Sequence, residues 1–158
     1  MNFGSDSHLK QQSQKPLYVE PGGIYDLTSD DDKFDKVLML EDEEGFSSLI
    51  SEYLESNYFK VIRVSNGVEG LKKIMVRDFD IILCDMLMPT LPGDKFFIAV
   101  QKVKPYLCKR FVFMTGQKGD KSIDEFIRSV HGVMLWKPFH PHELLETIKY
   151  VLKRSREG

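Results

Sequence analysis

Four acidic side chains, one threonine and one lysine stand out in this 158-residue chain because each closes or follows an apolar run. Glu41, Asp42 and Glu43 come after "VLML", Asp85 after "IILC", Thr115 after "FVFM" and Lys137 after "VMLW". Read singly, each is ordinary. An Asp after a strand is a turn or cap residue, three acids are a solvated helix start favoured by the helix dipole, and a lone Lys is a surface charge. Brought together they have a chemistry. Carboxylates packed closely repel one another unless a cation sits among them, and oxygen ligands of this kind suit Mg²⁺. An ammonium and a hydroxyl beside such an ion can share the charge of a phosphoryl group.

The elements that would gather these residues are legible from Lys36 onward. Five times a short apolar run is followed by an amphipathic segment, the runs being "VLML", "KVIRV", "IILC", "FVFM" and "VMLW". They are mostly continuous rather than alternating, as expected of parallel strands covered on both faces. Helical spacing predicts one-sided stripes at Phe46, Leu49, Ile50, Tyr53 and Leu54; at Val68, Leu71 and Met75; at Phe96, Val100 and Val103; at Ile123, Phe126, Ile127 and Val130; and at Leu144, Leu145, Ile148, Val151 and Leu152. This alternation implies an α/β fold, a five-stranded parallel sheet flanked by five helices with right-handed crossovers. Ligands of open sheets bind outside the carboxyl ends of the strands, where the polar residues fall. Residues 36–154 form the domain, 155–158 a tail, and 1–35 a flexible extension. That extension is polar, with an acidic "TSDDDKFDK" and a more apolar "LYVEPGGIY".

Five ordered pieces carry a resemblance: "LEDEE", "SNGVEGL", "DMLMPTLPG", "MTG" and "KPFHPHELLETI". From Val37 to Leu152 the chain resembles the receiver domain of two-component response regulators. The resemblance implies a flavodoxin-like sheet of order 2-1-3-4-5. It also implies an Mg²⁺-dependent signalling switch that takes a phosphoryl group from a histidine kinase or a histidine phosphotransfer protein. Such a switch then changes its binding to a downstream protein. It is not an enzyme on outside substrates, since it supports only its own phosphotransfer and dephosphorylation. Carried over position by position, Asp85 is the phosphoacceptor. Glu41 and Asp42 are the acidic pair of the metal site, with Asp42 the direct ligand and Leu87 lending a backbone carbonyl. Thr115 is the switch hydroxyl, Gly116 offers an N–H to the phosphoryl group, and Lys137 pairs with acceptor and phosphate across a cis bond to Pro138. Receivers place an aromatic ring three residues before that lysine. Here Met134 stands there, which predicts a modest shift of the switch surface.

Other readings carry less. A haloacid dehalogenase-like phosphohydrolase also uses Asp, Thr, Lys and Mg²⁺, but it needs a DxD pair after the first strand, where Glu41-Asp42-Glu43 stands. A non-phosphorylated pseudo-receiver would have lost Asp85, Asp42 or Lys137, and none is lost. His140 and His142 have no further ligands nearby in sequence for zinc and read as residues of the last helix's start. Gly67 and Gly70 read as exposed turn and packing residues. A net charge of -2 makes no electrostatic case for nucleic acid or an anionic membrane. Neither a membrane span nor a secretion signal is apparent. Cys84 and Cys108, without a CxxC, read as reduced thiols of a cytoplasmic protein. With no output segment beside the receiver, the chain reads as a stand-alone regulator or as a fragment of a larger protein.

Overall fold

A computed structural model describes residues 33–157, together with the backbone of two short upstream strands. Those strands, Val19–Glu20 and Gly23–Ile24, pair antiparallel within "LYVEPGGIY" and belong to a separate unit, Met1–Lys33. The remainder of the expected flexible extension, apart from residues 33–35, lies outside the described residues.

The second unit is the α/β domain. Its strands are β1 (Asp35–Leu40), β2 (Phe59–Val64), β3 (Ile81–Asp85), β4 (Phe111–Thr115) and β5 (Val133–Trp136). They form one sheet in the order β2-β1-β3-β4-β5, parallel at every pairing. The helices are α1 (Glu44–Ser56), α2 (Gly67–Val76), α3 (Gly93–Val103), α4 (Lys121–Ser129) and α5 (Pro141–Glu157), and a 3₁₀ turn, Pro105–Arg110, follows α3.

Continuous apolar strands are needed because both faces are covered. Leu38, Leu40, Ile82, Cys84, Phe111 and Phe113 point into a core closed by α2, α3 and α4. The intervening Val37, Met39, Ile81, Leu83, Val112 and Met114 meet Ile50 and Leu54 of α1 and Leu144, Ile148, Val151 and Leu152 of α5. On the first face, rings of Phe97 and Phe111 stand edge-on with centroids 5.0 Å apart, and Phe126 of α4 packs at 5.6 Å from both Phe97 and Phe113. These aromatics are core.

Three predicted stripes need correction. Leu49 is 59% exposed, and Val68 and Met75 are 44% and 57% exposed. The buried line of α2 is instead Gly67, Gly70 and Ile74, so the two glycines taken for exposed residues are covered, Gly67 by Leu91 of the loop before α3 and Gly70 by Leu40 of the sheet. A Cβ on Gly70 would lie 2.6 Å from Leu40 Cδ2 and 3.1 Å from Phe96 Cε2. Helix α2 therefore sits closer to β1 than any side chain would permit. Val103 also turns out to solvent. At the other end of the domain, α5 continues through Glu157 rather than stopping at 154. Arg156 pairs there with Asp35 at 2.5 Å and with Asp80 at 3.7 Å, which ties the expected tail to the amino edge of the sheet. Among the described residues no helix is long and apolar enough to cross a membrane.

Close approach at Gly70 has a measurable consequence. Gly70→Ala should lower stability by about 1–3 kcal/mol through overpacking, read from the urea unfolding midpoint. Gly45→Ala should cause no loss, because a Cβ there meets only Glu43 Oε1 at 3.5 Å.

Candidate functional site

The carboxyl edge of the sheet brings the predicted residues together. Glu41 follows β1 directly, and its N–H donates to Val64 O at 3.0 Å, extending the β1–β2 ladder by one bond. Asp85 is the last residue of β3 and Thr115 the last of β4, and both are buried, as is Glu41. Lys137 follows β5, its N–H donating to Thr115 O at 2.8 Å, and its bond to Pro138 is cis as expected. Carboxylate oxygens of Glu41, Asp42 and Asp85 lie within 4.8 Å of one another. Asp42 is the exposed member of the three.

The lysine binds two of these acids at once. Its Nζ stands 2.6 Å from Glu41 Oε2 and 2.8 Å from Asp85 Oδ2. The other oxygen of Asp85, Oδ1, accepts from the Leu87 N–H at 2.9 Å, so both ends of its carboxylate are oriented. Leu87 points its own side chain outward, 52% exposed.

The Pro-Gly loop after β3 is built to hold this arrangement. The Met86 N–H donates to Met114 O at 2.9 Å, and the Gly93 N–H returns to Met86 O at 3.1 Å. Thr90 takes a left-handed φ of 66° at the loop's tip, and its hydroxyl donates to Pro89 O at 2.6 Å. Met86 and Met88 tuck into the core beneath. A Cβ on Gly93 would lie 2.8 Å from the Asp85 carbonyl oxygen and 2.9 Å from Met86 Cα. Only glycine lets α3 start against the backbone of Asp85 and Met86.

The electrostatics follow from burial and crowding. Removal from water pushes the Glu41 carboxyl up to about 7, with Asp85 adding to the rise and the Lys137 hydrogen bond opposing it. Burial alone would pull the Lys137 ammonium down, but the hydrogen bonds to Asp85 and Glu41 outweigh it and its pKa stands above the ordinary value. Next to Asp85 in the chain, burial and then the Asp85 charge push the Cys84 thiol far up, so it stays protonated and inert. Three carboxylates against one ammonium leave the cluster short of positive charge, and every donor atom among the acids is a hard oxygen. Both properties fit Mg²⁺.

The other predicted residues stand as follows. The Thr115 Oγ1 accepts from the Gln117 N–H at 3.1 Å. A Cβ on the exposed Gly116 would find nothing nearer than Lys137 Cβ at 3.9 Å, so space is open there. Met134, half-buried, packs against the α2–α3–α4 core and pairs in register with Phe113. His140 begins α5: its Nδ1 accepts from the His142 N–H at 3.2 Å while its own N–H donates to Glu143 Oε2 at 3.0 Å. Phe46 escaped sequence reasoning except as an apolar helix position. The Lys137 Nζ lies 4.5 Å from the centre of its ring, and no spacing rule announces such a contact between α1 and the end of β5.

Comparison with known proteins agrees with this geometry. Residues 37–149 match the response regulator receiver domain family. The chain is 30% identical over 122 residues to the alkaline phosphatase synthesis transcriptional regulatory protein PhoP of Bacillus subtilis, a match covering 76% of this chain and 49% of that protein. It spans about half the length of the curated relatives it matches. Among solved structures it is similar to a receiver domain protein of Methanospirillum hungatei, with a TM-score of 0.73 and 24% identity over 80% of this chain and 100% of that one. It is also similar to the chemotaxis response regulator CheY4 of Vibrio cholerae, with a TM-score of 0.69 and 28% identity over 75% and 99% of the two chains.

The raised pKa of Glu41 makes stability depend on pH. A folded state that holds this proton above the ordinary value of 4.5 is favoured below that pH, and the advantage is lost as pH rises through about 7. In metal-free buffer the urea midpoint should therefore fall from about pH 5 to about pH 8 more steeply for the wild type than for Glu41→Gln. Parallel profiles for the two proteins would contradict the buried position of Glu41.

Proposed function

This chain belongs to the response regulator receiver domain family, and on that premise we propose that Asp85 is the acceptor of its Mg²⁺-dependent phosphorylation switch. One observation carries the assignment. Asp85 ends a central strand, one oxygen on the Leu87 N–H and the other on the Lys137 ammonium, within reach of Glu41 and Asp42.

In the reaction, an Asp85 carboxylate oxygen attacks phosphorus of the donor, a phosphohistidine or a small acyl phosphate. The bond from phosphorus to the leaving nitrogen or oxygen breaks, and the leaving group keeps the electron pair. Glu41, Asp42, Asp85 and the Leu87 backbone carbonyl would hold Mg²⁺. That ion supplies positive charge for the phosphoryl oxygens. Lys137 neutralises the acceptor before transfer and follows the charge to the phosphoryl group afterwards. The Thr115 hydroxyl, after leaving the Gln117 N–H, and the N–H of Gly116 complete the oxyanion contacts.

The donor we propose is a histidine kinase or histidine phosphotransfer protein, and the downstream target another protein. We place the protein in the cytoplasm, where thiols such as those of Cys84 and Cys108 stay reduced. The relatives' work in transcription belongs to those longer proteins, and the surface we propose to change on phosphorylation is that of α4 and β5 beside Thr115. Met134 lacks a ring that locks between two positions, so its part in the switch is a small inward movement. A dehalogenase-like reading has no support left, since the nucleophile follows the third strand of the sheet and not the first.

Acetyl phosphate with Mg²⁺ should add one phosphoryl group, seen by intact mass. Asp85→Asn or excess EDTA should abolish the addition. Persistent labelling of that variant at the wild-type rate would refute the acceptor, and an unlabelled wild type would favour a pseudo-receiver.

Lys137→Ala should bind Mg²⁺ at least as tightly as the wild type by calorimetry, because the ammonium occupies the same carboxylates. The variant should nevertheless lose the NMR response to beryllofluoride around Thr115. Weak metal binding with an intact response would reverse the roles assigned here.

A further inference from the structure

We infer that Phe46, braced by Phe139, is a positioning residue that keeps the Lys137 ammonium in place while its anionic partner changes. This rests on the phosphoryl-transfer reading above. The two rings meet edge to face, centroids 5.7 Å apart and planes at 73°. Phe46 lies in the first turn of the helix that follows the acidic pair. Phe139 lies two residues beyond the lysine itself. The ring under the ammonium is thus anchored from both sides of the site.

An ammonium has three donors and no acceptor. Glu41 Oε2 and Asp85 Oδ2 take two of its hydrogen bonds, and the face of Phe46 lies 4.5 Å away. A π face attracts a cation without directional demand and without competing for its hydrogen bonds. That difference matters when Asp85 is phosphorylated. Its carboxylate charge then disappears into an acyl phosphate, new charge stands further out on the phosphoryl oxygens, and Lys137 must exchange partners. The ring, like the Glu41 carboxylate, keeps its charge distribution through the transfer, and unlike that carboxylate it makes no directional hydrogen bond that must be realigned as the ammonium turns to its new partner. The lysine side chain is 22% exposed, and partial removal from water strengthens the contact.

A merely packing role for Phe46, which also touches the α1–α5 core, makes different predictions. Phe46→Leu keeps an apolar side chain and removes the π face, whereas Phe46→Tyr keeps the face. Leucine should slow the saturating rate of labelling by acetyl phosphate by roughly threefold to thirtyfold, with half-saturating donor, Mg²⁺ affinity and urea midpoint near wild type. Tyrosine should restore the rate. In NMR spectra of the metal-free protein, the Lys137 Cε protons should show an upfield ring-current shift that leucine removes and tyrosine retains. A leucine variant labelling at the wild-type rate would overturn the inference. So would a loss matched by an equal fall in stability, or a Lys137 shift indifferent to leucine. Should the wild type itself fail to label, the functional reading falls, and the ring-current comparison still decides whether Phe46 holds the ammonium.

Discussion

Two buried carboxylates share one ammonium at the carboxyl edge of this sheet, and the domain is arranged around making that contact possible. Lys137 leaves the end of β5, and its partners leave the ends of β1 and β3. Strand β4 lies between β5 and β3, so about two strand spacings, close to 10 Å, separate the strand ends. The long stem of the lysine and the carboxylate side chains reaching out to meet it close that gap together. The backbone hydrogen bond from Lys137 to Thr115 fixes where the crossing begins. Leaving either carboxylate buried without the ammonium would cost several kcal/mol (on the order of 3–5). A strongly negative site is therefore held together by the one ammonium that reaches both of its buried acids.

Positioning of this quality depends on the sheet's being apolar on both faces. The ends of β1, β3 and β4 continue from buried runs, while the edge strand β5 is only partly covered, so the polar residues of the first three have only the carboxyl edge to occupy. The same demand explains the tight approach of α2 at Gly70 and of α3 at Gly93. Each helix start is pressed against the strand end that carries an acid, and each contact leaves no room for a β-carbon.

Much of this was legible in the sequence because strands buried on both faces leave a plain signature and the polar interruptions stand out against it. Strand order and the roles of Asp85, Thr115 and Lys137 came instead through resemblance, since spacing alone does not order strands in space. Helix α5, apolar at every turn on one side, was read correctly along its whole stripe. Helix α2 was misread. Its buried line runs through two glycines, which carry no hydrophobic signal, so apolar periodicity selected Val68 and Met75 one position away. Phe46 was read only as part of a stripe, and its contact with the Lys137 ammonium escaped that reading because it joins residues 91 positions apart. Residues 155–157 looked like a tail for want of apolar side chains, yet the helix continues through them on ion pairing with Asp35 and Asp80.

The glycine at the start of α3 also bears on how variation in this protein would be read by geneticists. Gly93 carries no functional group, yet a β-carbon there would strike the Asp85 carbonyl. Any missense allele there would displace Asp85 through the backbone while leaving the acids, hydroxyl and lysine in the coding sequence. Its phenotype would resemble that of losing Asp85 itself, and suppressors would arise in α3 or beneath Met86 rather than among the charged residues.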